Sequence, residues 1–187
     1  MRLLAVREKE PARPVSPPEE PRRGGSPLEF VLMILLCAGL VLGVVRPFVA
    51  EVLFIPSGSM SPTLEAGDRV LADKLSRRFD EPRRGELAVF DDGDGLRIKR
   101  VTGLPGDVVE IRDGRLFVDG EPRREPYVNY RNTDGDFFGP LTVPADHVFV
   151  LGDNRSNSRD SRYLGPIPEE SLVGEARLRL WPPGIIS

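Results

Sequence analysis

The chain has 187 residues, of which 40% are apolar and 29% are charged, with a formal net charge of −3. This length is enough for one domain with its own core, and the slight negative charge gives no indication of a nucleic-acid partner. A single cysteine excludes an intrachain disulfide, and one cysteine with one histidine is a poor ligand set for zinc, so we expect no metal site.

Residues 1–27 contain six prolines among many charged residues, including five arginines and one lysine. A segment of this composition cannot bury enough apolar surface to fold by itself. The composition therefore predicts a disordered tail with a basic character.

Sixteen consecutive residues without a charge, Phe30–Val45, follow this tail. As a helix with a rise of about 1.5 Å per residue they span roughly 24 Å, and flanking apolar residues extend the run towards the roughly 30 Å of a bilayer core. The stretch is apolar on every face, which makes a buried core helix a weaker explanation. The pattern predicts a transmembrane helix over residues 28–50.

A cleaved signal peptide is the alternative interpretation of the same run. Its cleavage site would follow Ala50, which would place Phe48 at a position that requires a small residue.

Basic residues lie before the run, and Arg46 is nearly alone after it. The positive-inside rule therefore predicts a single-pass protein of the plasma membrane, with a cytoplasmic N-terminus and an extracytoplasmic domain over residues 51–187.

The remaining sequence contains short runs of β-branched and aromatic residues, bounded by Asp-Gly and Pro-Gly turn signals. The runs are Glu86–Phe90, Leu96–Leu104, Asp107–Gly120 and His147–Asp153. Asp113-Gly114, between two alternating segments, is typical of a β-hairpin. About six short strands with little helix predict a mainly β domain built on antiparallel sheet.

The segment 55–64 reads IPSGSMSPTL and contains three serines within five positions. Serine, glycine and proline form polar turns in many proteins, so a catalytic serine needs a second group that removes its proton. The only histidine, His147, lies in a predicted strand beside apolar residues, where a structural role is more common. The G-x-S-x-G and S-x-x-K signatures are absent.

Lysine can also act as the base when burial lowers its pKa from the usual value of about 10.4. The chain has three lysines: Lys9 lies in the tail, Lys74 has the surroundings of a solvated charge, and Lys99 lies in a predicted strand. Strand alternation places Lys99 on one face with Arg97 and Val101. From this pattern alone, Lys99 is more readily a surface lysine than a base.

Three sequence blocks occur in a specific order after the apolar run: PSGSMSPTL (56–64), IKRVTGLPGD (98–107) and GDNRSNSRDSR (152–162). Together they resemble the motifs of the bacterial type I signal peptidases, or leader peptidases, a family of serine proteases with a Ser-Lys dyad. Ser-Gly-Ser alone is common in loops, whereas the ordered set is specific. The resemblance covers the anchor and most of residues 50–175, and it implies a signal-peptidase-like β-sheet catalytic domain.

The resemblance implies that Ser59 is the nucleophile, that Lys99 is the general base, and that the Ser57 hydroxyl and the Ser59 backbone N–H form the oxyanion hole. Residues two apart in an extended chain point the same way, which agrees with this assignment. By the same resemblance, Ser158 hydrogen-bonds near the lysine amine. Further supporting roles fall to Asp153, Arg155, Asp160 and Arg162, and substrate contacts fall to Ile55, Pro56, Met60 and Ile98.

The implied activity is removal of N-terminal signal peptides from exported preproteins by a membrane-anchored serine endopeptidase that needs no cofactor. The expected partners are signal peptides and the lipid bilayer, without nucleic acid, and we expect a monomer near the secretion translocon. Self-cleaving repressor-type proteins share a Ser-Lys dyad, but they carry a DNA-binding or partner domain instead of an anchor. A membrane-anchored β-domain that only binds exported chains would not need Ser59 and Lys99.

Overall fold

The computed structural model describes residues 26–45, 48–130, 133 and 135–186. The predicted disordered tail therefore lies outside the described residues, apart from its last two positions. Helix α1 (Pro27–Leu40) begins at the last residue of this tail, and the backbone continues as a π-helix over Val41–Val45. The Ser26 hydroxyl accepts from the Glu29 N–H at 3.2 Å, and the Glu29 carboxylate accepts from the Ser26 N–H at 3.1 Å. This capping box satisfies N–H groups at the start of α1.

Helix α1 has 14 residues, and none of them is buried. Its large apolar side chains, such as Leu28, Phe30 and Leu36, are each at least half exposed. Within the described part of the chain, no helix is both long and apolar enough to cross a membrane. The membrane span over residues 28–50 stays a prediction.

The regular structure of the remaining described residues is mainly antiparallel β-sheet. In chain order the strands are β1 (Ala50–Phe54), β2 (Arg69–Asp73), β3 (Leu87–Asp91), β4 (Leu96–Gly103), β5 (Val108–Arg112), β6 (Arg115–Val118), β7 (Glu121–Pro122), β8 (Phe138–Thr142), β9 (His147–Leu151), β10 (Ile167–Pro168), β11 (Leu172–Trp181) and β12 (Gly184–Ile185). Helix α2 (Ser161–Leu164) is a single turn between β9 and β10. The prediction of a mainly β, antiparallel fold is confirmed.

The strands form two sheets. The larger has the order β1-β2-β11-β3-β4-β9-β10, with β12 paired to β11, and the smaller has the order β7-β6-β5-β8. The predicted hairpin is present as β5 and β6, whose turn residues Asp113 and Gly114 have φ values of 49° and 73°. Two consecutive positive φ values match the type I′ turn that Asp-Gly favours, because this turn follows the twist of the strands.

Strand β4 is the part of the fold that positions the site. It lies between β3 and β9 and is buried at every residue from Ile98 to Gly103. Ile98 belongs to one cluster of buried apolar side chains and Val101 to another. Because apolar clusters cover both faces of β4, the two basic residues between them, Lys99 and Arg100, are buried as well.

Candidate active site

Lys99 and Ser59 meet on one side of β4. Ser59 lies in the turn that follows β1, and Lys99 lies in the middle of β4 with 5% of its surface exposed. Lys99 Nζ is 2.8 Å from Ser59 Oγ and also donates to the Ile98 carbonyl at 3.0 Å. The separation of 2.8 Å is within direct reach for proton transfer between the two side chains. Sequence alternation suggested a surface lysine, whereas the burial of β4 on both faces places Lys99 in the interior.

Burial lowers the pKa of Lys99 from 10.5 to about 8, because an ammonium loses its hydration in the interior. The negative charge of Asp160 acts in the opposite direction, and the positive charge of Arg97 adds to the lowering. No carboxylate among the described residues forms an ion pair with Lys99; its hydrogen-bond partners are a hydroxyl and a carbonyl. The amine can therefore lose its proton close to neutral pH, as a general base must.

The Ser57 hydroxyl lies beside the nucleophile candidate. Ser57 Oγ and Ser59 Oγ are 3.5 Å apart, which is a weak contact at most, and Ser57 is exposed. Gly58 separates the two serines, and a Cβ built on Gly58 would meet no atom within 4 Å. The space beside Gly58 is therefore open, and the exposed Ser57 hydroxyl lies next to it.

A small cavity of about 130 Å³ opens next to these side chains. It is lined by all four residues expected to contact substrate, Ile55, Pro56, Met60 and Ile98, together with Ser57, Ser59 and Lys99. Leu53, Phe54 and Leu96 extend its apolar wall. The cavity therefore combines an apolar wall with a hydroxyl and an amine at one end.

The loop after β9, Gly152–Asp160, packs directly against Ser59. A Cβ built on Gly152 would lie 2.6 Å from the Ser59 carbonyl oxygen and would also collide with the Ser158 side chain. Only glycine fits at this position. The Asp160 carboxylate, which is fully buried, accepts from the Gly152 N–H at 3.0 Å and from Arg162 Nε at 2.9 Å. The start and the end of the loop are therefore tied together.

Comparisons with known proteins show the family of this chain. Residues 28–181 match the family described as signal peptidase, peptidase S26. A signal peptidase I of Leptolyngbya laminosa is 42% identical and covers 94% of this chain and 92% of its own. Signal peptidase I P of Bacillus subtilis subsp. natto is 34% identical, with coverages of 88% and 94%. Thylakoidal processing peptidase 1 of Arabidopsis thaliana is 39% identical, with coverages of 76% and 45%.

Among solved structures, the crystal structure of a signal peptidase I from Enterococcus faecalis V583 has 34% identity and a TM-score of 0.46, and covers 51% of this chain and 97% of its own. The family match spans far more than half of this chain, and the Leptolyngbya relative matches it nearly end to end. The chain belongs to the signal peptidase I family. It is therefore a peptide hydrolase of the signal peptidase I type, a serine endopeptidase.

The residues expected to support the site have partners that the sequence did not indicate. Asp153 accepts two hydrogen bonds from Arg100, at 2.9 and 2.8 Å, and one from Thr63 Oγ1 at 2.5 Å. Arg155 pairs with the buried Glu125. Asp153 and Arg155 belong to the sequence motifs, whereas Arg100, Thr63 and Glu125 were not predicted, because these pairings depend on contacts between residues 30 to 90 positions apart.

Ser158 differs from its expected contact. Its hydroxyl is buried and makes no hydrogen bond to another described residue, although it lies close to Gly152 and thus to the Ser59 segment. A role near the lysine amine stays a prediction for this residue. His147 lies at the start of β9, where its Nδ1 is 2.8 Å from the Ala145 carbonyl, and it takes no part in the Ser59–Lys99 contact.

Proposed function

We propose that Ser59 is the nucleophile and Lys99 the general base of this signal peptidase. The observation that carries the proposal is the 2.8 Å hydrogen bond between Lys99 Nζ and Ser59 Oγ, in a site where burial lowers the lysine pKa to about 8. A neutral Nζ accepts the hydroxyl proton, whereas an ordinary lysine is charged at neutral pH. The proton transfer needs no histidine.

In the first half of the reaction, Ser59 Oγ attacks the carbonyl carbon before the cleavage site while its proton moves to Lys99 Nζ. The tetrahedral intermediate collapses as the C–N bond breaks, and Nζ gives the proton to the departing amine of the mature protein. The signal peptide remains as an ester on Ser59. Water then attacks the ester, its proton passes to Nζ and on to Ser59 Oγ, and the signal peptide leaves as a carboxylic acid.

The oxyanion of each tetrahedral intermediate accepts from the Ser57 hydroxyl and from the Ser59 backbone N–H. The distance of 3.5 Å between the two serine hydroxyls and the open space beside Gly58 support this assignment. An oxyanion-hole donor contributes about 10²–10³ in rate, because it is fixed where charge develops in the transition state.

Positioning roles fall to the residues around the loop after β9. Asp160 and Arg162 brace the loop, Asp153 connects it to Arg100, and Arg155 connects it to Glu125. Ser158, in the same loop, is proposed to hydrogen-bond near the lysine amine, because its buried hydroxyl has no other partner among the described residues. These residues act through Ser59 and Lys99 and do not need to touch substrate.

Specificity comes from the cavity lined by Ile55, Pro56, Met60 and Ile98. A signal peptide carries small residues at the first and third positions before its cleavage site, and in an extended chain these two side chains point the same way. We expect this small, mainly apolar cavity to favour an alanine side chain over a leucine. Replacing the residue before the cut by leucine should lower cleavage about 10–200-fold, and equal cleavage at the same bond would contradict this assignment.

We propose that residues 28–50 anchor the protein in the plasma membrane, with a cytoplasmic N-terminus and an extracytoplasmic catalytic domain, and that it works as a monomer near the secretion translocon. The uncharged sequence Phe30–Val45 and the exposure of the α1 side chains support the anchor. Alkaline phosphatase fused after residue 187 should be active, because this reporter works only outside the cytoplasm. An inactive reporter at normal expression would contradict the topology.

The catalytic domain itself also lies on the membrane surface in this proposal. Four apolar residues lie directly opposite one another on neighbouring strands: Val52 on β1, Leu71 on β2, Leu178 on β11 and Ile185 on β12. Val52, Leu178 and Ile185 are between 43% and 84% exposed. Trp181, the only tryptophan, ends β11 and is 67% exposed. An exposed apolar row beside an aromatic residue fits a lipid interface.

The single tryptophan makes this surface testable in the full chain. Brominated lipids in reconstituted vesicles should quench Trp181 fluorescence. A variant with Trp181→Phe and Phe137→Trp moves the reporter to an exposed position just before β8 in the smaller sheet, where quenching should be weaker. Equal quenching in the two proteins would contradict the assignment of this surface.

Cleavage of signal peptides from exported preproteins is tested by incubating the purified protein with a preprotein and sequencing the new N-terminus. The expected product begins immediately after an Ala-x-Ala-like site. Cleavage only within the chain itself would favour a self-cleaving protease. No cleavage by a folded protein would favour a domain that only binds exported chains.

A further inference from the structure

Asn154 makes two hydrogen bonds to the backbone on either side of the nucleophile. Its side-chain Nδ2 donates to the Gly58 carbonyl at 3.0 Å, and its backbone N–H donates to the Ser59 carbonyl at 3.1 Å. The two peptide groups that flank Ser59 are therefore both bonded to one residue of the loop after β9. The resemblance to the family implied no role for this asparagine.

The orientation of the Asn154 amide follows from its partners. Ser156 Oγ donates to Asn154 Oδ1 at 3.3 Å, which leaves Nδ2 facing the Gly58 carbonyl. The opposite orientation would place two acceptor oxygens 3.0 Å apart with no proton between them. Asn154 therefore acts as a donor to Gly58.

The Gly58 carbonyl and the Ser59 N–H belong to the same planar trans peptide group, so they point in opposite directions. A bond that fixes the carbonyl oxygen on one side also fixes the direction of the N–H on the other. The Ser59 N–H is one of the two oxyanion donors in the proposed mechanism. A donor that is only slightly misdirected loses much of its effect, because hydrogen bonds weaken steeply as their angle decreases.

We infer that Asn154 is a positioning residue that aims the Ser59 N–H into the oxyanion hole. The loop presents Asn154 in a fixed place, because Asp153 beside it is bonded twice to Arg100. Asn154 touches neither the reacting atoms nor the lysine amine. This inference rests on the proposed role of the Ser59 N–H and goes beyond it by naming the residue that directs that group.

The expected effect is intermediate in size. The Gly58 carbonyl also accepts from the Ser61 N–H at 3.2 Å, so loss of the Asn154 side chain loosens the peptide group without releasing it. Asn154→Ala should lower kcat about 10–100-fold, less than the complete loss of a donor and of a nucleophile. Asn154→Asp should be at least as impaired, since it keeps the shape and replaces the N–H donor by a charged acceptor facing the Gly58 carbonyl.

The test measures ground-state and transition-state binding separately in the full-length protein. For Asn154→Ala, kcat should fall while KM changes less than about threefold, and the affinity for a peptide boronate, which forms a tetrahedral adduct on Ser59, should fall by the same factor as kcat. The pH midpoint of kcat/KM should not move. Asn157→Ala is the matched control, because Asn157 is an exposed asparagine of the same loop and should behave as wild type.

Wild-type kcat in both Asn154 variants would overturn the inference. A loss of kcat together with an equal rise in KM and a moved pH midpoint would also overturn it, because this would be a general distortion of the site. If Asn154→Ala does not fold, the isosteric Asn154→Asp provides the same readouts. The Ser59→Ala variant distinguishes a failure of the proposed mechanism from a failure of this inference. If Ser59→Ala is active, the proposed mechanism is wrong. If Ser59→Ala is inactive and the Asn154 variants are fully active, only the role of Asn154 is wrong.

Discussion

The two faces of β4 each bury one basic side chain, Lys99 on one face and Arg100 on the other, in very different surroundings. Lys99 is 5% exposed and contacts a hydroxyl and a carbonyl. Its neighbour Arg100 is 3% exposed, but it forms a two-bonded ion pair with Asp153, donates to the Gly85 carbonyl at 2.7 Å, and stacks on the ring of Tyr127 at 3.9 Å. The positive charge of Arg100 is therefore neutralised by a carboxylate, whereas Lys99 has only neutral hydrogen-bond partners.

This difference separates a structural charge from a chemical one. A buried guanidinium with a carboxylate partner remains charged and holds two segments together. A buried ammonium without a carboxylate partner favours its neutral form, and the neutral form is the one that can accept a proton. Exchanging the two environments would remove both functions, so each prediction below perturbs one side of β4.

The largest effect is expected on the lysine side. Lys99→Met keeps the apolar stem and removes the amine, and it should lower kcat/KM by at least about 10³-fold, because Ser59 loses its base. Ser59→Ala should be equally inactive, and the double variant should be little worse, since nucleophile and base act as a unit. Lys74→Met is the control: Lys74 forms a partly buried pair with Glu51 at 2.7 Å, away from the Ser59–Lys99 contact, and its loss should leave peptide cleavage by the folded protein unchanged.

The arginine side should control stability. Arg100→Met leaves the carboxylate of Asp153 buried without its ion-pair partner, and we expect a loss of about 3–5 kcal/mol in the free energy of unfolding. Arg83→Met removes an exposed pair with Asp80, at 3.5 Å, and should cost less than about 1 kcal/mol. Urea unfolding of the two variants decides the matter, and equal losses would contradict the structural role of Arg100.

A smaller effect links Lys99 to stability and pH. A lysine pKa lowered from 10.5 to about 8 costs about 3 kcal/mol while the group is charged in the native state. Below pH 8 the whole penalty is present, and between pH 8 and 10.5 the unfolded chain binds more protons, so wild-type stability rises. Lys99→Met should therefore be more stable than wild type at pH 7, and its advantage should shrink towards pH 10.5. An advantage that is constant with pH would show that Lys99 carries no such penalty.

The smallest effect is expected at His147, which lies outside both environments. Its ring contacts the Ala145 carbonyl at the start of β9, so His147→Ala should keep kcat/KM within about twofold of wild type. A large loss of cleavage by a folded His147→Ala protein would mean that a histidine, and not Lys99, is the base.

The sequence predicted the parts of the fold that depend on local chemistry. The Asp113-Gly114 hairpin has its own turn signal, and the bounds of β3 and β4 agree with the predicted runs to within one residue. Strands β2 and β11 were not predicted. Their place in the sheet depends on the pairing of β11 with β2 and β3, whose residues lie roughly 80 to 110 positions earlier in the chain.

In the candidate site too, local sequence motifs were informative and long-range contacts were not predictable. Ordered motifs led to Ser59 and Lys99, but periodicity alone favoured a surface position for Lys99. Alternation is informative only when one face of a strand is exposed, and β4 is covered on both. The partner of Arg100 and the contacts of Asn154 join segments about 50 and 100 residues apart, and no local pattern encodes such contacts.

The most direct test of the central claim, that Lys99 is the base and works in its neutral form, is the pH dependence of kcat/KM for a peptide substrate without groups that titrate between pH 6 and 10. We expect log kcat/KM to rise with a slope of one and to level off around a midpoint near pH 8, the lowered pKa of Lys99. His147→Ala should have the same profile. A midpoint near pH 6.5 that disappears in His147→Ala, or a rate independent of pH across this range, would contradict the account.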